Sequence, residues 1–211
     1  MENYTFPLNT CERTSGGYIA QPYSAMFNVL SCAIIAVFLA KSKSKASTVV
    51  LLSILVFEIY HTLSHTVHIS GNIQVLITHI LAYIVNACFL VALVHHTTVV
   101  PNTHFALFLA AVIMFDIYAF NHLPLIFWLS TQFLIFMSLF VFYYRYLPKE
   151  ITTRIPVLFL LTFTIVLLFI NESYNCEAML HHFPSFPFHV IIEIVALFIV
   201  FNVCKVFSVI Q

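Results

Sequence analysis

Charged residues are scarce in this chain of 211 residues, since Asp, Glu, Lys and Arg together make up 8% of it. Soluble domains carry roughly 25% charged residues, so this shortage excludes an ordinary soluble domain. The sequence also lacks runs of acidic or basic side chains, and it contains only three glycines. The absence of basic runs excludes a nucleic-acid-binding surface. The lack of charged runs and the low number of glycines both count against a disordered tail.

Long hydrophobic runs are abundant instead, and 62% of the residues are hydrophobic. A helix needs about 20 apolar residues to span a bilayer. Seven segments approach this length: Ile19–Ala40, Ser47–His68, Ile73–His95, Phe105–Phe120, Pro124–Tyr144, Ile155–Ile170 and Phe188–Ser208. Their short connections predict antiparallel neighbours in one compact bundle. We therefore predict an all-α integral membrane protein of seven transmembrane helices, with a single domain over 1–211 and a short N-terminal segment over 1–18.

The distribution of Lys and Arg predicts the orientation of this bundle. An odd number of passes places the two termini on opposite sides of the membrane. Most of the cations fall on the side of the C-terminus, namely Lys41, Lys43, Lys45, Arg145, Lys149, Arg154 and Lys205, and only Arg13 falls on the other side. Because cytosolic segments carry an excess of Lys and Arg, we expect an outside or lumenal N-terminus and a cytosolic C-terminus. An endomembrane (ER or Golgi) and the cell surface are both compatible with this topology.

The five cysteines fall into two groups. Cys32, Cys88 and Cys204 lie within predicted helices, where a free cysteine serves as a small packing residue. Cys11 and Cys176 lie in predicted outer segments, where an oxidising compartment permits a disulfide. We predict a Cys11–Cys176 bridge that ties the N-terminal segment to the connection before the seventh helix.

Polar side chains are concentrated at the end of the second predicted helix, over Tyr60–His68. Ionisable side chains are costly in hydrocarbon and usually mark a functional site there. Ser64 and His68 are one helical turn apart and therefore share a face. His61 and His65 fall on other faces, and we expect them to contact neighbouring helices or lipid headgroups.

Further polar side chains are expected at the same membrane depth as Ser64 and His68. His79 lies about two turns below the outer surface on the third helix. His189 and Glu193 share one face at the outer start of the seventh helix. Histidines and carboxylates from several helices commonly build a metal site in a bundle, and three such ligands plus a water form a catalytic zinc site.

The same residues are also compatible with an interhelical hydrogen-bond network that contains no metal. Glu58 and Asp116 are predicted inside the membrane as well. Either of them pairs with a histidine or belongs to a further polar pocket. The residue types and their spacing leave both interpretations open.

The polar stretch also carries a family resemblance. Ser64-His65-Thr66-Val67-His68 matches a Ser-x-x-x-His motif, and the N-terminal stretches Cys11-Glu12, Tyr18-Ile19-Ala20-Gln21-Pro22-Tyr23 and Asn28-Val29-Leu30-Ser31 fit the same family. On these motifs the chain resembles the alkaline ceramidases and, more broadly, the CREST superfamily of seven-helix membrane hydrolases and adiponectin-type receptors. The superfamily continues with Asp on helix three and His-x-x-x-His on helix seven. Here His79 stands at the Asp position, and Glu193 replaces the second histidine of the last motif.

The resemblance implies a zinc-dependent hydrolase that cleaves a ceramide-like lipid amide taken from the bilayer. Zinc would be held by His68, His189 and Glu193, and it would polarise the carbonyl and activate a water molecule. Ser64 would stabilise the developing oxyanion, and His79 would act as the general acid or base.

The resemblance also bears on calcium, because the alkaline ceramidases have an acidic N-terminal calcium site. Glu12 is kept here, but Asn9, Thr10 and Thr14 replace stronger ligands, and Gln21 occupies the helix-one position. Calcium prefers several carboxylate oxygens, so we predict no calcium site.

Two other functional classes remain open. The first is a receptor-like or scaffold member of the same superfamily that keeps the metal and performs no chemistry. The second is an unrelated heptahelical transporter, which would show inverted repeats or broken helices. The scarcity of glycine and proline counts against the transporter. No feature of the sequence defines an oligomeric state.

Overall fold

The computed structural model describes residues 5–7, 10–15, 17–70 and 73–209. Within these residues, seven helices are long and apolar enough to cross a membrane, so the chain is a multi-pass integral membrane protein, as predicted. The long helices are α1 (Pro22–Lys41), α2 (Lys45–Thr66), α3 (Ile73–Thr97), α4 (Thr103–His122), α5 (Leu125–Tyr143), α7 (Ile155–His182) and α8 (His189–Val209). A helix of a single turn, α6 (Lys149–Thr152), precedes α7. A short antiparallel pair joins Thr5–Phe6 to Ile69–Ser70. Parts of the predicted N-terminal segment, including Asn9, lie outside the described residues.

Local sequence signals set the starts of several helices. Pro22 occupies the first turn of α1, where its missing backbone N–H would have no helical partner. The Glu12 carboxylate caps this helix by accepting the backbone N–H groups of Tyr23 (2.9 Å) and Ser24 (3.0 Å). The Asn102 side chain caps α4 by accepting a backbone N–H of its first turn at 2.9 Å. The cap on α1 attaches the N-terminal segment directly to the bundle.

α7 is longer than the predicted sixth helix, which ended at Ile170. Its 28 residues span about 42 Å at 1.5 Å per residue, more than the roughly 30 Å of a hydrocarbon core. The predicted connection between Ile170 and Phe188 is therefore wrong in its first part, because the helix continues to His182. After Ile170 the chain contains neither proline nor glycine until Pro184, so nothing in the sequence interrupts the helix. The additional turns place this region on a helix rather than on a loop.

α2 ends at Thr66, two residues earlier than predicted. Its C-cap Val67 is extended, with φ −110° and ψ 150°, and donates its N–H to the Leu63 carbonyl. The chain then continues into the antiparallel pair with the N-terminal segment. His68 consequently lies beyond the helix, and its side chain is exposed.

The two halves of the bundle are buried differently. The half that contains the start of α2 and the end of α8 has the large hydrophobic core. In this core, the ring of Phe89 packs against those of Phe136 (5.0 Å), Phe140 (4.7 Å) and Phe207 (5.2 Å). α1 and α3 both pack on α2, while α1 and α7 both pack on α8. The opposite half buries histidine and carboxylate side chains, and it contains the candidate site.

The predicted Cys11–Cys176 disulfide is confirmed, and the Cα atoms of the two residues are 5.5 Å apart. The bridge joins the N-terminal segment to the last turns of α7. Next to it, the Phe188 N–H donates to the Cys11 carbonyl at 3.1 Å. The N-terminal segment is thus attached both to α7 and to the start of α8.

Replacing Cys11 by Ala is expected to destabilise the protein by about 2–5 kcal/mol, the usual cost of removing a native disulfide from a small domain. Thermal unfolding of the purified protein in detergent measures this loss. Cys88→Ala is the matched control, because Cys88 is a free thiol. An unchanged melting temperature in the Cys11 variant, or an equal decrease in the control, would contradict a stabilising role for the bridge.

Candidate functional site

Side chains of α2 and α8 meet in a group that we call the histidine cluster: His61, His65, His189 and Glu193. The Nε2 atoms of the three histidines all face the Glu193 Oε1 atom. Their distances from it are 3.1 Å for His189, 3.4 Å for His65 and 3.9 Å for His61. The Nε2 atoms of His61 and His65 lie 3.4 Å from each other. The cluster therefore brings imidazole nitrogens and a carboxylate oxygen to one point.

Helical spacing explains how two helices supply all four side chains. His61 and His65 are one turn apart on α2, and His189 and Glu193 are one turn apart on α8. Each pair therefore projects from one helical face. His65, His189 and Glu193 are buried, whereas the His61 side chain is 24% exposed. His61 thus forms the accessible side of the cluster.

Gln21 orients His65 from the far side of the imidazole ring. The Gln21 Oε1 atom lies 2.7 Å from His65 Nδ1. The Gln21 amide nitrogen donates to Thr10 Oγ1 at 2.7 Å and to the Glu12 carbonyl at 3.2 Å. Because an amide oxygen only accepts hydrogen bonds, the His65 proton lies on Nδ1. His65 Nε2 therefore directs a lone pair at the centre of the cluster.

Glu172 orients His189 in the same way. His189 Nδ1 lies 2.9 and 3.0 Å from the two Glu172 carboxylate oxygens, and Glu172 also accepts the Cys11 N–H at 2.6 Å. On the third ring, His61 Nδ1 lies 3.7 Å from Glu58 Oε2. Metal-binding histidines typically present one nitrogen to the metal and the other to an oxygen acceptor, which fixes the tautomer. His65 and His189 have this arrangement, whereas Glu58 lies beyond hydrogen-bond distance of His61 Nδ1.

The charges of the cluster also favour a bound cation. Glu193 Oε2 is buried and has no hydrogen-bond partner in the part of the chain that the structure describes. A buried carboxylate oxygen without a partner costs free energy, and a divalent cation would remove that cost. Ligand atoms of His61, His65 and Glu193 all lie within 4.8 Å of one another. This donor set of imidazole nitrogens and carboxylate oxygens fits Zn²⁺.

The structure brings two of the predicted ligands, His189 and Glu193, to the cluster. It does not bring His68 there, because α2 ends before this residue and the His68 side chain is exposed. His65 and His61 supply the α2 side of the cluster, and the neighbouring helix that they contact is α8. Their His-x-x-x-His spacing is the sequence signal that identifies them as a pair on one face.

Ser64 lies beside the cluster, where it is buried and lines the same cavity as the histidines. Its hydroxyl donates to the His61 carbonyl at 2.6 Å, within the helix. The hydroxyl proton must leave the His61 carbonyl, by rotation about the Cβ–Oγ bond, before Ser64 can donate it to a ligand in the cavity. Ser64 is therefore close enough to assist chemistry but is engaged with the backbone in this structure.

His79 belongs to a different polar group, centred on Asp116 of α4. His79 Nε2 and the Tyr83 hydroxyl both lie 2.5 Å from Asp116 Oδ2, and the Thr131 hydroxyl donates to Asp116 Oδ1. The His79 ring stacks on that of Phe120 at 4.4 Å. Among the described residues that line the two cavities, His79 is absent. The structure therefore places His79 in a buried interhelical network, apart from the histidine cluster.

Two adjoining cavities lie next to the histidine cluster. The first, of about 290 Å³, is lined by the four cluster residues together with Ser64 and Glu172. The second, of about 210 Å³, is almost entirely apolar and extends into the bundle between α2, α3, α5 and α8. Residues that line both include Glu58, Thr78 and Trp128, so the two cavities share a boundary. A ligand with a polar end and an apolar chain matches this shape.

No protein-family model matches this chain, and neither a curated protein nor a solved structure is significantly similar to it. Function is therefore inferred from the residues of the site and from the motifs of the sequence.

Proposed function

We propose that this protein is a zinc-dependent hydrolase within the membrane that cleaves the amide bond of a ceramide-like lipid. The observation that carries the proposal is the convergence of three imidazole Nε2 atoms on Glu193 Oε1 beside an apolar cavity. Ser64 and the N-terminal stretches, which resemble those of the alkaline ceramidases, support the choice of an amide and of a ceramide-like lipid.

The ligands would come from the histidine cluster, namely His61, His65, His189 and Glu193. If three of these four residues bind the metal, a fourth coordination position stays open for water or substrate, as in catalytic zinc sites. When bound there, zinc supplies Lewis acidity, which polarises the substrate carbonyl and lowers the pKa of water. Gln21 and Glu172 hold the rings of His65 and His189 in the tautomer that ligation requires.

Other residues of the cavity provide acid–base and hydrogen-bonding groups. Glu58 lies 3.7 Å from His61 Nδ1 and lines both cavities. The Glu58 carboxylate is placed to accept a proton from the attacking water and to return it to the leaving amine. The Ser64 hydroxyl, once rotated, would donate to the carbonyl oxygen as negative charge develops on it.

We propose that the cluster lies towards the outside or lumenal face, in an endomembrane or at the cell surface. The Cys11–Cys176 disulfide lies at this end of the bundle, and disulfides persist in oxidising compartments. Lys41 and Lys45, at the end of α1 and the start of α2, lie at the opposite end. Cytosolic segments are enriched in such cations, which supports a cytosolic C-terminus. The apolar cavity would receive the lipid chain from the bilayer.

Hydrolysis of ceramide by the purified protein tests the proposed function, and the Ser64→Ala variant tests the role of its hydroxyl. We expect wild-type activity that is lost on chelation, and a decrease in kcat of about 100-fold in Ser64→Ala with zinc retained. Ser138→Ala is the matched control, because Ser138 makes the same kind of backbone hydrogen bond and lies outside the residues that line the cavities. A zinc-loaded wild type that releases no fatty acid from ceramide would contradict the proposal.

Glu172→Gln is expected to weaken zinc binding by about 10–100-fold, the usual effect of removing an acceptor that orients a metal-binding histidine. Glutamine keeps the size of the side chain but not the charge that faces His189 Nδ1. Titration of the protein against a competing chelator measures the change in affinity. Glu177→Gln, an exposed position on the same helix, is the control and should bind zinc as the wild type does. Equal affinities in the two variants would exclude an orienting role for Glu172.

The second candidate function is a receptor-like or scaffold protein in which the metal is structural. The observation that favours it is the number of candidate ligands, because coordination by all four residues of the histidine cluster would leave no open position. Such a protein would bind zinc and lose thermal stability on chelation, but it would not release fatty acid from ceramide. The hydrolysis assay therefore separates the two candidates.

A further inference from the structure

We propose that the Cys11–Cys176 disulfide completes the zinc site, so that the protein gains its full affinity for zinc only after this bridge has formed. Cys11 is then a positioning residue, because it acts on the candidate ligand His189 through Glu172. The inference rests on the proposed function only in that zinc binds at the histidine cluster. It adds a dependence of metal binding on the oxidation state of the chain, which the donor set of the cluster does not indicate.

Helical spacing brings the bridge to Glu172. Glu172 and Cys176 are four residues apart on α7, so their side chains share one face of this helix. The bridge to Cys176 therefore holds Cys11 over the face that carries Glu172. In this position the Cys11 N–H donates to Glu172 Oε1 at 2.6 Å. Hydrogen bonds from backbone N–H groups to carboxylates are among the strong ones in proteins, so the bridge provides the carboxylate with a fixed and effective donor.

The same carboxylate faces the candidate metal ligand. Glu172 Oε1 and Oε2 lie 2.9 and 3.0 Å from His189 Nδ1. The side chain of His189 is 4% exposed and that of Glu172 is 12% exposed. A glutamate side chain has much rotamer freedom to lose, so holding this carboxylate against His189 has an entropic cost. The Cys11 N–H lowers the number of orientations open to the carboxylate and thereby favours the one that faces His189.

Cys11 also contacts the start of α8. It is fully buried, and its carbonyl accepts the N–H of Phe188, the residue before His189, at 3.1 Å. One residue of the N-terminal segment therefore holds both the carboxylate behind the ligand and the backbone beside the ligand. The next residue, Glu12, is attached to α1 instead, where it caps the helix. Without the bridge, the segment would keep this attachment to α1 but lose its covalent attachment to α7.

Formation of the bridge is an oxidation that needs a partner. Joining the two Sγ atoms removes two electrons and two protons from the cysteine thiols. In thiol–disulfide exchange, both pass to the disulfide of a redox partner, which leaves as a dithiol. Disulfides form in oxidising compartments, so a chain that has not yet been oxidised there would bind zinc weakly. Metal binding would therefore follow oxidation of the chain.

Titration against a competing chelator tests this proposal without any turnover. The double variant Cys11→Ser/Cys176→Ser should bind zinc about 10-fold more weakly than the oxidised wild type, at the low end of the effect of losing a group that orients a metal-binding histidine. Cys88→Ser is the control, because Cys88 is a free thiol, and it should bind zinc as the wild type does. Wild-type protein that is reduced with a phosphine and then desalted should show the same decrease, and this measurement decides the question if the double variant does not fold. Equal affinities with and without the bridge would overturn the proposal.

The Glu172→Ala background separates positioning from a general loss of stability. If the bridge acts through Glu172, removing the bridge should not weaken zinc binding further once the carboxylate is absent, because residues that act in one network are not additive. A further 10-fold decrease in this background would contradict the assignment of Cys11 as a positioning residue.

The same titrations distinguish this proposal from the proposed function. Zinc affinity that depends on the bridge, in a protein that does not hydrolyse ceramide, would refute the hydrolase and support the role of Cys11. Ceramide hydrolysis by a zinc-loaded protein whose affinity for zinc is the same with and without the bridge would do the reverse. Oxidised protein that binds no zinc would overturn both.

Discussion

Replacing Glu193 by Gln is expected to weaken zinc binding by more than about 100-fold, since even the acceptors behind metal-binding histidines contribute 10–100-fold. Glu193 Oε1 is the atom that the Nε2 atoms of all three cluster histidines face. Glutamine preserves the size of the side chain but removes its negative charge. Metal analysis of the purified variant should find far less than one zinc per chain.

Thermal unfolding provides an independent check on the Glu193→Gln variant. A ligand that binds only the folded state raises stability by an amount that grows with the logarithm of its affinity, so chelation should lower the melting temperature of the wild type. The variant should be insensitive to chelation. Glu150→Gln, at an exposed position on α6, is the control and should respond to chelation as the wild type does. Stoichiometric zinc in Glu193→Gln would show that the metal lies elsewhere.

Replacing Asp116 by Asn is expected to destabilise the protein by about 3–5 kcal/mol, the cost of removing one partner from a buried ion pair or its equivalent. The Asp116 side chain is fully buried and accepts from Tyr83 and Thr131 while it pairs with His79. An amide cannot accept all of these hydrogen bonds. Thermal unfolding measures the effect, and zinc content should not change.

Tyr83→Phe is a graded control for Asp116→Asn, because it removes one donor from the same network. Loss of a single hydrogen bond usually costs about 1 kcal/mol, so the decrease in melting temperature should be clearly smaller. Zinc content should again be unchanged. Loss of zinc in either variant would show that the Asp116 network is coupled to the metal site, contrary to the separation of the two groups in the structure.

The membrane-spanning helices could be predicted from the sequence, but several of their ends could not. In lipid a helix satisfies all of its backbone polar groups internally, so length and hydropathy are enough to locate it. The end of α7 has no such signal, because the residues after Ile170 are polar and yet compatible with a helix. The end of α2 depends on tertiary structure, since the chain leaves the helix at Val67 and Ile69–Ser70 then pair with the N-terminal segment.

The candidate site could be predicted only in part, because the rotation of α2 could not be derived from its sequence. His189 and Glu193 lie in the first two turns of α8, and the other residues of these turns are apolar, so the sequence identifies the pair directly. The last turns of α2 carry Glu58, His61, Ser64 and His65 close together, so the polar pattern alone does not indicate which of its histidines point inward. A helix extended to His68 made Ser64 and His68 the apparent pair, whereas the structure directs His61 and His65 at α8.

The pairing of His79 with Asp116 could not be predicted for a different reason. Short connections show which helices are consecutive, but they do not define how α3, α4 and α5 face one another. Asp116 and Thr131 meet His79 only because α4 packs on α5 beside α3. The sequence identified Asp116 as an intramembrane acid that could pair with a histidine, and the structure identifies His79 as its partner.

Zinc K-edge X-ray absorption of the purified wild-type protein tests the central claim most directly. The account predicts one zinc per chain in a sphere of nitrogen and oxygen ligands at about 2.0–2.1 Å, with the scattering of at least two imidazole rings. A sulfur shell at about 2.3 Å would place the metal at a cysteine and contradict the histidine cluster as its site. Protein that contains no zinc after purification with zinc supplied would contradict the account altogether.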